Sequence, residues 1–438
     1  MPGPSAAQRR GWRSVLVDIE PIRRDREFRM LWLGQLVNNL GRQVTVVALP
    51  FELWQLTHSS LSIGVLALVQ LVPILVFSLA GGALADAIDR RILLLTTQAV
   101  LAVTSLGLAF LALQPNPPIV AIYGVAFIAA GVGAVDQPAR ASAIPRLVPR
   151  ERLAAAIAAN WLSGVTVSIA GPVAAGVLIA TSGVATAFAF DAATFLASLT
   201  ALLLMAPIPP HPDAARPGLR SIAEGLRFAR SRPVILATFA IDLNAMIFGM
   251  PSSLMPQLAL TVFNTGAAGY GLLNAAPAVG ALIGTAFSGW VGRLRRPGRG
   301  VAVAVATWGV AIAAFGLLTW SFPLALACFA VAGAADVVSA VLRGSIVQLS
   351  TPDHLRGRVS SIQSLVVTSG PRLGDAEAAG VAALAGPQFS VVSGGVMCLA
   401  GLLVVLRKFP ELLAYEHEAV SPSRSGPEPS PDLAETTV

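Results

Sequence analysis

Residues 81–91 read Gly-Gly-Ala-Leu-Ala-Asp-Ala-Ile-Asp-Arg-Arg, with long apolar runs on both sides. Two carboxylates and two guanidiniums crowd into six positions of a 438-residue chain that is 55% hydrophobic and only 12% charged. Charge that sparse cannot clothe a compact fold for water, so the outside must face lipid. Working outward from this stretch, apolar runs near the roughly 20 residues that cross a hydrocarbon core recur along the whole chain. Twelve spans are predicted, at 28–56, 62–85, 92–113, 119–140, 154–180, 185–206, 233–262, 268–291, 301–320, 323–345, 358–386 and 388–407. Their Ala, Leu, Val and Gly content lacks the period-2 alternation of a barrel strand, and helices pair their backbone polar groups internally. Residues 81–91 then form the short connection between the second and third spans.

The net charge of +7 is distributed unevenly. Arginines precede the first span and fall at 90–91, 146–152, 216–232, 293–299, 356–358 and 407, with Lys408 beside the last. These are alternate connections. The intervening loops at 57–61, 114–118, 181–184, 263–267, 321–322 and 386–388 hold no Lys or Arg. The positive-inside rule therefore predicts cytoplasmic termini, in a bacterial-type inner or plasma membrane, and argues against nucleic acid as the partner of the basic charge. No apolar h-region precedes the first span, which is expected to stay uncleaved. Cys328 and Cys398 stand alone in apolar spans, so neither a disulfide framework nor a metal site is expected.

Five segments are predicted. Residues 1–27 form a cytoplasmic N-terminal segment, 28–206 a first six-helix bundle, 207–232 a cytoplasmic linker, 233–407 a second six-helix bundle, and 408–438 a cytoplasmic disordered tail. Within the linker, residues 219–231 pattern as an amphipathic helix expected to lie on the inner leaflet. The tail is rich in Pro, Ser and Glu. A repeat supports the division: Arg90, Arg140, Pro149 and Gly171 recur 203 positions later as Arg293, Arg343, Pro352 and Gly374.

Gly82, Asp86, Asp89, Arg90 and Arg91, between spans two and three, resemble the signature loop of the major facilitator superfamily. The resemblance implies an all-α membrane fold of twelve helices in two pseudo-symmetric bundles, with this cluster as a gate latching the halves together. The second-half counterpart, residues 288–293, keeps Arg293 but has Gly292 where an Asp would fall. Gly171, Pro172 and Gly176 in span five resemble the antiporter signature of exporting members, in which Pro kinks a helix and Gly permits close crossing. Asp136 to Arg140, residues 144–149, residues 57–60 and Gly374-Asp375 are together similar to the branch containing siderophore and macrolide exporters. Family likeness implies a proton gradient as the energy source, with no cofactor.

Ionisable groups within spans are costly and mark function. Arg42 and Arg372 fall about halfway along spans one and eleven at ~1.5 Å per residue. Together they favour an anionic cargo. Asp375, then Asp242 and Asp336, are the leading proton-coupling candidates, with Glu377 behind them. Arg372 and Asp375 share a helix face and could equally form a static ion pair. Asn38, Asn39, Gln43, Gln70, Asn160, Trp161, Asn244, Gln257 and Asn274 are further cavity candidates, though interhelical hydrogen bonding explains such residues about as well. Asp136, Arg140 and Arg343 are candidates for a second cytoplasmic gate or mark a span boundary. Asp191 reads as a structural cap or pair.

These readings point to a secondary active exporter of small amphipathic molecules, siderophore or drug, working as a monomer by alternating access. The alternative is a non-transporting membrane receptor or assembly partner on the same fold. Without a catalytic cluster or a phosphate-binding loop, an enzyme is not expected.

Overall fold

The computed structural model describes residues 20–87, 89–207, 219–287, 289 and 294–416, with backbone alone at 78–87 and 219–223. Twelve long helices dominate it. The first six are α1 (Arg26–Thr57), α2 (Ser60–Ala87), α3 (Arg90–Ala112), α4 (Ile119–Leu147), α5 (Arg150–Ser182) and α6 (Val184–Leu203). The second six are α7 (Pro233–Phe248), α8 (Gly266–Ala286), α9 (Pro297–Leu317), α10 (Phe322–Leu349), α11 (Asp353–Ala385) and α12 (Pro387–Lys408). Ten of these segments are long and apolar enough to cross a membrane, the α7 segment counted through Val262. The other two, α1 and α11, are 32 and 33 residues long, with Glu52 buried in the first and Asp375 in the second.

The helices form two bundles. In the first, α1 and α3 pack on α6, and α2 packs on α4; in the second, α9 packs on α10 and α12, and α8 on α10. Two crossings, α5 with α8 and α2 with α11, join the bundles. The 203-residue repeat is visible in the backbone. Pro149 and Pro352 stand in extended conformation immediately before α5 and α11, each 33 residues long. A proline there fixes φ and removes a donor that the first turn leaves unpaired anyway. The same two helices end on Gly183 and Gly386, at φ 83° and 88°, where a side chain would be strained.

Several predicted boundaries shift. The seventh span, expected as one helix over 233–262, breaks after Phe248 at Gly249–Pro251 and resumes as a 3₁₀ turn, Ser252–Leu254, ending in a π turn at Leu258–Val262. Pro251 cannot donate into a continuing helix. The Trp308 indole N–H donates to the Gly249 carbonyl at 2.9 Å and occupies one of the carbonyls the break exposes.

The linker helix Leu219–Ser231 docks on α11. Glu224 pairs with Arg358 at 2.5 Å, and Ala229 is buried with Ile235, Phe239, Val359 and Ile362. Its apolar stripe thus finds protein rather than only the leaflet surface expected of it. Residues 409–416, expected in the disordered tail, pack back onto the base of α9: Leu412 is buried against Gly298, and Arg296 pairs with Glu416 at 2.6 Å. Residues 417–438 lie outside the described part. At the other terminus Arg152 of α5 grips both oxygens of Asp25, at 2.9 and 2.8 Å.

Candidate functional site

A cavity of about 1200 Å³ lies between the first bundle and α11. It begins at the arginine-bearing end, where lining residues His354, Gly357, Gln137 and Ala141 are exposed. It reaches inward to Leu49, Leu66 and Leu108. Helix α11 contributes His354, Arg358, Ser361, Leu365, Thr368 and Arg372, spaced by three and four residues and so forming one stripe. Helix α1 faces that stripe with Arg42, Thr45 and Leu49. Among the described residues, neither Arg42 nor Arg372 has an ion-pair or hydrogen-bond partner.

Beyond the cavity, at the loop end, the bundles meet directly. A Cβ on Gly176 of α5 would stand 2.8 Å from the Ala267 carbonyl oxygen and 3.0 Å from Gly271 Cα of α8. One on Gly64 of α2 would meet Ala379 Cβ of α11 at 2.6 Å. The Tyr270 hydroxyl donates to the Val47 carbonyl at 2.9 Å, and the Ser60 hydroxyl to Gln257 Oε1 at 2.6 Å. The cavity is therefore open at the arginine-bearing end and sealed at the other.

The antiporter-like motif divides its labour. Gly171 packs on Gln43 of α1, while Gly176 and the Pro172 carbonyl form the crossing with Gly271. In the opening cluster, Gly82 and Asp86 lie where only the backbone is described, and the Asp86 side chain lies outside the described part. Asp89 caps α3, accepting from the Arg91 and Ile92 amides at 2.8 and 3.4 Å. Arg90 donates to Ser142 Oγ at 2.9 Å. Arg91 donates to the Leu202 and Leu203 carbonyls, both at 2.7 Å, satisfying groups that the end of α6 leaves unpaired. Residues 288 and 290–293 lie outside the described part.

Of the eleven cavity candidates, the structure places Arg42, Arg372 and Gln70 on the lining. Asn38 is buried and donates to Gln98 at 2.9 Å. Asn39 does not line the cavity. Gln43 abuts Gly171, and Asn244 donates to the Cys398 carbonyl at 2.8 Å. Asn160 does not line the cavity, and Trp161, also absent from the lining, is 54% exposed. These side chains lie at other angles on their helices than the cavity stripe.

The acids are also distributed by structure. Asp375 makes no ion pair with Arg372. It accepts from the Ser253 amide at 2.8 Å, while its own carbonyl accepts from the Ser253 hydroxyl at 2.8 Å, so it anchors the 3₁₀ turn after the α7 break. Glu377 is absent from the lining. Asp136 and Arg140 are joined at 2.6 Å, both buried, and Asp136 also accepts from Thr97 at 2.8 Å and Gln98 at 2.9 Å. Arg343 contacts Asp242 at 2.7 Å and Asp336 at 3.9 Å.

One acid of the lining was not among the site residues expected from sequence. Asp191 of α6 is 2% exposed and accepts from the Thr45 and Ser105 hydroxyls, both at 2.7 Å. Gly41, beside Arg42, admits it: a Cβ there would stand 2.8 Å from Asp191 Oδ1. The pairing of Gly41 with a lone acid in the sixth span was the available signal.

Residues 18–436 match the family model described as transmembrane secretion effector. The chain belongs to this family. It is 30% identical over 398 residues to the enterobactin exporter EntS of Citrobacter koseri, covering 90% of this chain and 94% of that one. The corresponding protein of Escherichia coli O139:H28 is 29% identical over 397 residues, with the same coverage. A bacterial homologue of the iron transporter ferroportin, solved in an inward-facing state, superposes with a TM-score of 0.70 at 16% identity, covering 89% of this chain and 99% of its own. The secretion-effector chain thus has the major facilitator fold that its signature loop implies.

Proposed function

We propose that this protein is a secondary active exporter that moves small amphipathic, anionic molecules of the catecholate siderophore class out of the cytoplasm by proton antiport. The relatives named above are enterobactin exporters. The observation that carries the cargo class is the pair of unpartnered guanidiniums, Arg42 and Arg372, within one cavity. A guanidinium within a span that makes no direct ion pair or hydrogen bond is free to take an anionic cargo, and a planar oxyanion matches its fork. Arg358, paired with Glu224, stands at the mouth, while the lining's one acid, Asp191, is occupied by hydroxyls.

With the arginine-bearing end in the cytoplasm, as the positive-inside rule requires, the described arrangement is the inward-open state. Alternating access then needs the seam of Gly176 and Gly271 to part while the mouth closes. Everted membrane vesicles test the reading. An imposed proton gradient, without ATP, should drive accumulation of enterobactin, and Arg42→Ala should abolish most of it. Gradient-independent accumulation, or preferential transport of a lipophilic cation unaffected by Arg42→Ala, would refute it.

A further inference from the structure

In the second bundle two carboxylates share one guanidinium. Arg343 Nη2 of α10 lies 2.7 Å from Asp242 Oδ1 of α7 and 3.9 Å from Asp336 Oδ1 of its own helix. The shorter contact lacks the alignment of a hydrogen bond, whereas Arg343 Nη1 donates to Ser339 Oγ at 2.8 Å. The guanidinium is thus held on a neutral hydroxyl and able to lean toward either acid.

The first bundle shows the same place filled differently. Arg140 and Asp136 precede Arg343 and Ser339 by 203 positions, and there one acid meets one base, with Thr97 and Gln98 completing the carboxylate's bonds. That pair is neutral. The second bundle moves one acid to the seventh span, where Asn39 is the first-half equivalent of Asp242, and adds Asp336, where the equivalent is Gly133. Two acids and one base leave an uncompensated negative charge in a span, and one bound proton removes it.

Neighbouring helices supply no second cation among the described residues. Helix α8 has no charged residue, and α9 has only Arg299. Helix α11 brings Asp353, His354, Arg356, Arg358, Arg372, Asp375 and Glu377; α12 brings Arg407 and Lys408; the linker helix brings Glu224, Arg227 and Arg230; and the helix after α12 brings Glu411. None of these pairs with Asp242 or Asp336. The Asp336 side chain is 39% exposed and that of Asp242 4%, so the two acids stand in unlike surroundings on either side of one guanidinium. None of the three residues lines the cavity.

We propose that Asp242, Asp336 and Arg343 form a one-proton site, separate from the cargo cavity, that carries the proton half of the exchange. This rests on the antiport reading above. With the proton bound on Asp336, Arg343 serves Asp242 alone. When the proton leaves, the guanidinium is drawn between both acids, and the spacing of α7 against α10 changes with it. Cargo and proton thus act on different helices, and their exchange is enforced through the conformational change rather than by competition for one group.

The test uses the full chain in lipid nanodiscs and infrared difference spectra of the protonated-carboxyl C=O stretch across a pH titration. One titrating band is expected, lost in Asp336→Asn, lost or displaced in Asp242→Asn, and kept in Asp375→Asn. A band unchanged in both of the first two variants, or no titrating band in the wild type, overturns the proposal. Arg343→Lys is an independent arm should the Asn variants fold poorly: the midpoint should move by about half a pH unit or more, and an unmoved midpoint counts against the site. Enterobactin flux is read on the same preparations. A normal band without wild-type flux would refute the export reading and leave the proton site standing.

Discussion

Gly176 and Gly271 cross with no side chain between them, and each is required by the other: a Cβ on Gly176 would stand 3.0 Å from Gly271 Cα, and one on Gly271 2.9 Å from Gly176 Cα. The loop-end seal therefore depends on backbone contacting backbone. Gly176→Val should keep the seam from closing and shift the protein toward the opposite opening. Spin labels on the loop ends of α5 and α8 should show the longer distance becoming dominant, with efflux falling at least about tenfold, or ~1.4 kcal/mol. Gly176→Ala should do the same to a smaller degree.

Arg42 and Arg372 face one cavity from different bundles. Each Arg→Ala change should weaken enterobactin binding by about tenfold, the equivalent of ~1.4 kcal/mol. Lys should recover only part, because it lacks the planar fork. Titration calorimetry in detergent checks both, and a cationic probe should bind no worse to either variant.

Asp136 and Arg140 are buried together at 2.6 Å. Removing one partner strands the other, at a cost of about 3–5 kcal/mol. Asp136→Ala should accordingly lower the unfolding midpoint sharply, whereas Asp136→Leu combined with Arg140→Met should recover most of the loss. A double-mutant cycle by chemical unfolding measures the coupling.

Asp191 receives the hydroxyls of Thr45 and Ser105 on one oxygen. Hydrogen bonds to charged groups contribute about 1.5–3 kcal/mol each. Asp191→Ala should therefore destabilise the α1–α6 contact by several kcal/mol, and Asp191→Asn by less, because its amide oxygen still accepts. Thermal unfolding of the two variants should fall in that order.

The helices were legible because a run of apolar residues fixes depth along the membrane normal, and the positions of Arg and Gly mark its ends. The stripe from His354 to Arg372 was likewise available as polar residues repeating at helical spacing through an apolar run. Angular placement was harder. Asn38, Asn160 and Asn244 have the right depth and the wrong azimuth, and azimuth depends on which neighbour a helix meets. In lipid both faces are apolar, so the pattern that betrays the inner face of a soluble helix is weak. Asp375 illustrates a second limit: its partner, the Ser253 amide, exists only because Pro251 breaks the preceding helix, 122 positions away.

Helix α11 bounds the cargo chamber over its first half and seals the opposite mouth over its second, where Ala379 meets Gly64. Its 33 residues span ~50 Å, and Pro371, inside the helix beside Arg372, removes a backbone hydrogen bond between the two contacts and is the fulcrum about which the two halves can bend. In the proposed alternating-access cycle no separate messenger is needed between the two doors, because one helix is part of each. A bulky ligand wedged beside Arg372, near the fulcrum, would stall both at once.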